Sequence, residues 1–138
     1  MSGILGSNAL RRKVAGFIPA TLWAILVLFL SLSNVTIVQK FEWTDIAGFD
    51  KMGHAVFHGV LALWVMYGFF GLQRRFRHMA LWTMIACILF GVVIEFLQAW
   101  MRVGRQFEYL DMLANVAGIF IAYCIFNRFL KPSYYGSL

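Results

Sequence analysis

Four apolar segments organise the chain, each near the roughly 20 residues that cross a bilayer as a helix. They predict spans at about 14–34, 53–72, 79–101 and 110–130. No charge interrupts the sequence from Val14 through Gln39, and the second segment carries no charged side chain beyond His54 and His58. The third contains one charge, Glu95, near its C-terminal end. The fourth opens with Asp111 and closes with Arg128. No Gly/Ser linker, internal repeat or low-complexity tract separates them, so residues 1–138 read as one domain. The predicted fold class is all-α, an integral membrane four-helix bundle.

Composition agrees and removes alternatives. Hydrophobic residues make up 62% and charged residues 13%, about half the charged share of a soluble domain. Too few polar side chains exist to coat a soluble enzyme, and a disordered chain or nucleic-acid module is equally disfavoured. Cys87 and Cys124 lie inside apolar segments without a Cys-x-x-Cys, and both are expected in the core. The stretch after Arg11, Arg12 and Lys13 is too long for the core of a cleaved signal peptide and reads as an anchor that stays.

The net charge of +6 changes the picture through its placement. Arg11, Arg12, Lys13, Arg74, Arg75, Arg77, Arg128 and Lys131 put eight basic residues on one side of the predicted membrane. Lys40, Lys51, Arg102 and Arg105 put four on the other. The positive-inside rule then places both termini in the cytoplasm. All six acids, Glu42, Asp45, Asp50, Glu95, Glu108 and Asp111, fall toward the outer face. The long loop from Ser33 to Asp50 is expected to lie along that interface, anchored by Trp43.

Candidate chemistry sits at the same level. Lys51, His54 and His58 are spaced i, i+3, i+7 on the second span, and Glu95, Gln98 and Arg102 repeat that spacing on the third. Asp111, Asn115 and Gly118 are spaced i, i+4, i+7 on the fourth. At about 100° per residue each set forms one stripe. A rise of about 1.5 Å per residue puts Glu95 and Asn115 at similar depth, with His58 slightly shallower. An unpaired acid near a helix centre costs about 3 kcal/mol on insertion scales, and such residues usually face the bundle interior and mark function. The plain alternative is that Lys51, Arg102 and Arg105 pair with Asp50, Glu95, Glu108 and Asp111 only to fasten the helices. In that reading Asp50 is the N-cap of the second span. Two helix N-termini, near Gly53 and Leu110, aim partial positive charge at the cluster and favour an anion. Burial that raises the pKa of Glu95 would suit it to general acid–base work.

Three blocks carry a resemblance: "LSLSN", "FDKMGHAVFHGVLAL" and "IEFLQAWMRVGRQFEYLDMLANVAG". Together they resemble the VanZ-like family of small bacterial membrane proteins. The matching positions are Asp50, Lys51 and His54, then Glu95 and Gln98, then Arg105, Phe107, Glu108, Asp111, Ala114, Asn115 and Gly118. His58 departs from the family pattern, so its role is left open. The resemblance implies a multi-pass protein of the bacterial inner membrane, linked to the cell envelope and to antibiotic (glycopeptide) resistance.

The first reading is therefore an outer-facing polar site that binds an anionic envelope component, either a lipid-linked precursor or a phospholipid headgroup. Whether a reaction follows is left open. Glu95, His54 and Asp111 are the candidate catalytic groups. Asp50, Lys51, Gln98, Arg105 and Asn115 are candidates for ligand binding. Membrane lipids and a membrane protein partner or second copy are the expected partners, with no cofactor. The second reading is an interaction subunit of a larger membrane complex. A metal or haem on His54 and His58, joined by Glu95 or Asp111, is not adopted, because Lys51 and the two arginines would repel a cation. A proton-coupled carrier would need a dimer, given four spans without an inverted repeat.

Overall fold

The computed structural model describes residues 14–33, 48–70, 76–101 and 108–130. Four α-helices and no strand lie among them: α1 (Ile18–Leu32), α2 (Phe49–Phe70), α3 (Phe76–Met101) and α4 (Tyr109–Ile125). A π-helical turn, Phe126–Leu130, extends α4. Trp43 and the basic residues Arg11, Arg12, Lys13, Lys40, Arg74, Arg75, Arg102, Arg105 and Lys131 lie outside the described residues.

Three stretches are long and apolar enough to cross a membrane: Phe49–Phe69, His78–Met101 and Tyr109–Leu130. α1 is shorter than its predicted span, with 15 residues. The reason is local. Pro19 occupies the first turn, where its missing N–H and fixed φ suit a helix start. Val14 and Ala15 form a separate helical turn before it. At the other end Ser33 turns extended, and its N–H and Oγ both donate to the Phe29 carbonyl, at 2.9 and 2.6 Å.

α2 begins one turn earlier than expected. Gly48 has φ 100°, a left-handed conformation natural to glycine, and the helix follows at once. Asp50 is therefore inside the first turn and is not the N-cap. Its charge still complements the helix N-terminus from there.

α2 and α4 form the most extensive contact, α3 packs against both, and α1 rests on α2 and α3. The α2–α4 approach depends on missing side chains. A Cβ on Gly118 would collide with the backbone of Ala55, and one on Gly59 would lie 2.9 Å from the Gly118 carbonyl oxygen. Small residues at a crossing let membrane helices gain close van der Waals contact. α1 is tied on by the Trp23 indole N–H, which donates to the Phe57 carbonyl at 2.9 Å.

Leu61, Ala62, Met66, Cys87, Ile119, Ala122 and Phe126 form the apolar core. Phe29, Trp82, Phe96, Trp100, Leu113 and Phe120 point outward, as lipid-facing side chains of a bundle in a bilayer do. Cys124 joins this outer surface, contrary to the expectation that it packs inside. The inward stripe of α4 runs through Asp111, Asn115, Gly118, Ile119 and Ala122, and position 124 falls off it.

Candidate functional site

The start of α2, the end of α3 and the start of α4 meet at one end of the bundle. Each helix turns its inward stripe polar there. α2 presents His54 and His58, α3 presents Glu95 and Gln98, and α4 presents Asp111 and Asn115; all six are buried. Burial of this kind is costly in an apolar bundle unless the groups compensate one another.

His54 is the hub. Its Nδ1 lies 3.9 Å from Glu95 Oε1 and its Nε2 lies 3.7 Å from Asp111 Oδ2. The imidazole thus stands between two buried carboxylates, 1% and 5% exposed. Neither separation is a hydrogen bond. Lys51 reaches in from the rim and places Nζ 2.9 Å from Asp111 Oδ1 and 2.9 Å from Glu108 Oε2. Asp111 therefore offers one oxygen to the lysine and turns the other toward His54. Asp50 is exposed, one turn before His54, and one of its carboxylate oxygens falls within 4.8 Å of ligand atoms on His54 and Asp111.

One turn further in, the His58 ring stacks on that of His54, with centroids 6.4 Å apart and planes 13° from parallel. His58 Nδ1 lies 3.2 Å from the His54 carbonyl oxygen. His58 Nε2 and Asn115 Oδ1 are buried and have no hydrogen-bond partner among the described residues. Both side chains crowd Gly91 on α3. A Cβ there would lie 2.9 Å from Asn115 Nδ2 and 3.1 Å from His58 Nε2. Gly91 is thus the residue that admits two polar side chains between three helices.

The sequence-predicted residues divide as follows. His54, Glu95, Asp111, Lys51 and Asp50 come together around the imidazole. Asn115 lies beside His58 near Gly91. Gln98 is buried on the same stripe of α3, but its Nε2 donates to the Ser31 carbonyl at 2.8 Å, which fastens α3 to the end of α1. Arg105 and Arg102 lie outside the described residues. His58, left open from its departure from the family pattern, is fully enclosed, and its i, i+4 spacing from His54 was the available signal. The pair His54 and His58 is not the one that groups with carboxylates. The trio whose ligand atoms cluster is Asp50, His54 and Asp111.

Chemically, the arrangement sets an imidazole between two buried carboxylates and presents a rim lysine beside two helix N-termini. No curated protein and no solved structure matches the chain. The family model VanZ/LLP1 matches residues 5–130, and the chain, with three helices able to cross a membrane, therefore belongs to the VanZ/LLP1 family of membrane proteins.

Proposed function

We propose that this cluster is a binding site, open to the outer face of the bacterial inner membrane, for an anionic cell-envelope component such as a lipid-linked precursor or a phospholipid headgroup. One observation carries the reading. Three helices each place a titratable or ionised side chain, His54, Glu95 and Asp111, in a buried position at the same end of an apolar bundle. A bundle that needed only to cohere would be served by the small-residue contact at Gly59 and Gly118 and by its apolar core. Lys51, the starts of α2 and α4, and the arginines of the segment between α3 and α4 supply attraction for an anion. His54 and Glu95 are the groups placed to move a proton on a bound molecule.

The test compares Glu95→Gln and Asp111→Asn with wild type. Both keep size and hydrogen-bonding capacity while removing the carboxylate. Expected is loss of anionic-lipid retention on native mass spectrometry, and of any glycopeptide-sensitivity phenotype, at unchanged membrane yield and melting temperature. Parallel loss of stability and phenotype would instead assign the cluster to bracing. Copurification of a stoichiometric partner through gentle solubilisation would favour an interaction subunit. Reporter fusions at Gln73 and at the C-terminus should both report cytoplasm; a periplasmic signal would overturn the outer-face location.

A further inference from the structure

We propose that Asp50, His54 and Asp111 bind a divalent transition-metal cation, of the Zn2+ or Mn2+ kind, at the rim of the polar cluster. The site does not depend on which anion, if any, the cluster takes.

Geometry is the first argument. One ligand atom from each of the three residues lies within 4.8 Å of the others. His54 Nε2 and Asp111 Oδ2 are 3.7 Å apart, too far for a hydrogen bond. Two donors that share an ion at about 2.0–2.2 Å each stand roughly 3–4 Å from one another. The spacing thus fits an interposed cation better than a direct contact.

The second argument is the other side of the imidazole. Metal-bound histidines commonly direct the remaining ring nitrogen at a carboxylate or carbonyl, which fixes the ring and raises its basicity. Here His54 Nδ1 faces Glu95 Oε1 at 3.9 Å, and Glu95 is 1% exposed. A buried acid on α3 faces one nitrogen of the α2 histidine and an α4 acid faces the other, so a small turn of the ring on metal binding would bring Nδ1 into hydrogen-bond range of Glu95.

Charge and rigidity agree. Among the described residues His54 faces Glu95 and Asp111 with Asp50 close by, and the ammonium of Lys51 is held by Asp111 and Glu108; Arg102 and Arg105 lie outside these residues. Lys51 takes Asp111 Oδ1 and Glu108 Oε2, which leaves Oδ2 of Asp111 toward His54. Asp50 and His54 are i, i+4 on α2, and α4 is locked to α2 at Ala55 and Gly118, so the three donors ride on one rigid pair. Asp50 is exposed and marks the entry side. Just inside, His58 Nε2 and Asn115 Oδ1 are buried without a hydrogen-bond partner among the described residues. An imidazole with two carboxylates favours a borderline ion over Ca2+ or Mg2+, which prefer all-oxygen sets. Three protein donors leave positions open for water or a phosphate oxygen.

The test uses the full chain, purified without a histidine tag, stripped with chelator and titrated with ZnCl2 or MnCl2, with CaCl2 and MgCl2 as controls. Expected is one ion per chain and a metal-dependent rise in melting temperature. His54→Gln should abolish both, Asp50→Asn and Asp111→Asn should weaken binding at least about tenfold, and Glu95→Gln should weaken it about 10–100-fold through the ring. Replacing the exposed His78 with Gln should change nothing. Asp50 is exposed, so Asp50→Asn keeps the test alive if a buried variant fails to fold. No ion bound by wild type, or wild-type affinity retained in Asp50→Asn and His54→Gln, overturns the proposal. Loss of metal binding in Asp111→Asn with anionic-lipid retention intact would count against the anion reading alone.

Discussion

Beyond Gly118, α2 and α4 face each other through Leu61, Ala62, Met66, Ile119, Ala122 and Phe126; on the near side the same two stripes present His54, His58, Asp111 and Asn115. Both halves use the same helices, the same 3.6-residue periodicity and the same close approach at the glycines. They differ in what could replace them. The apolar half competes with lipid of equal polarity, so it holds by shape and by dispersion contact. The polar half must compensate buried polar and charged side chains, so its residue identities matter as well as their sizes. The contact at Gly118 divides the two and lets both exist.

The largest effect should come from breaking that divide. Gly118→Val places side-chain atoms into the backbone of Ala55, which no rotamer change relieves. The variant should fail to accumulate in membranes. Gly53→Ala is the matched control, since its Cβ would meet only Phe57 Cε2, at 3.9 Å, and it should accumulate as wild type. Normal yield of Gly118→Val would mean that α2 and α4 do not cross here.

Next comes the polar half, where burial should rank the acids that hold Lys51. Asp111 is 8% exposed at its side chain and also faces His54; Glu108 is 53% exposed and, among the described residues, pairs with Lys51. Asp111→Ala removes a buried partner from two groups and should cost about 3 kcal/mol. Glu108→Gln should cost about 1 kcal/mol or less and shrink further in high salt. Thermal melts in detergent at low and high salt would check the pair. Equal losses would place both acids in the same environment, against the burial gradient that defines the site.

How much of this was legible in the sequence follows the same division. The three inward polar stripes were readable, because a charged or amide residue inside an apolar run marks its face and depth at once: Glu95, Gln98, Asp111 and Asn115 are all buried as their spacing implied. The start of α2 was misread by a turn because Asp50 and Lys51 look like loop to a hydropathy count, although an acid suits the first turn of a helix. The apolar half was nearly silent. Nothing in an all-apolar run separates Cys87, which packs inside, from Cys124, which does not. Gly91 was likewise unreadable, since its role is to be absent beside His58 and Asn115. The function of the arginines, Arg105 above all, rests on residues outside those described.

The smallest expected effect sharpens the comparison from the apolar side. Thr83 lies on the inward face of α3, one turn from Cys87 of the apolar core, and is 1% exposed. Its Oγ1 has no hydrogen-bond partner among the described residues. A buried hydroxyl without a partner carries a desolvation cost, and an apolar group of the same shape removes it. Thr83→Val exchanges the hydroxyl for a methyl of nearly equal volume on the same branched carbon. If the apolar half is held by shape alone, this variant should be neutral or more stable by about 1 kcal/mol, with lipid retention and metal binding unchanged. The same logic applied to Asn115→Leu should fail, because Asn115 borders His58 and the cluster. A loss of stability in Thr83→Val would mean that the hydroxyl has a partner, such as an enclosed water, and that polarity reaches into the half of the bundle described here as apolar.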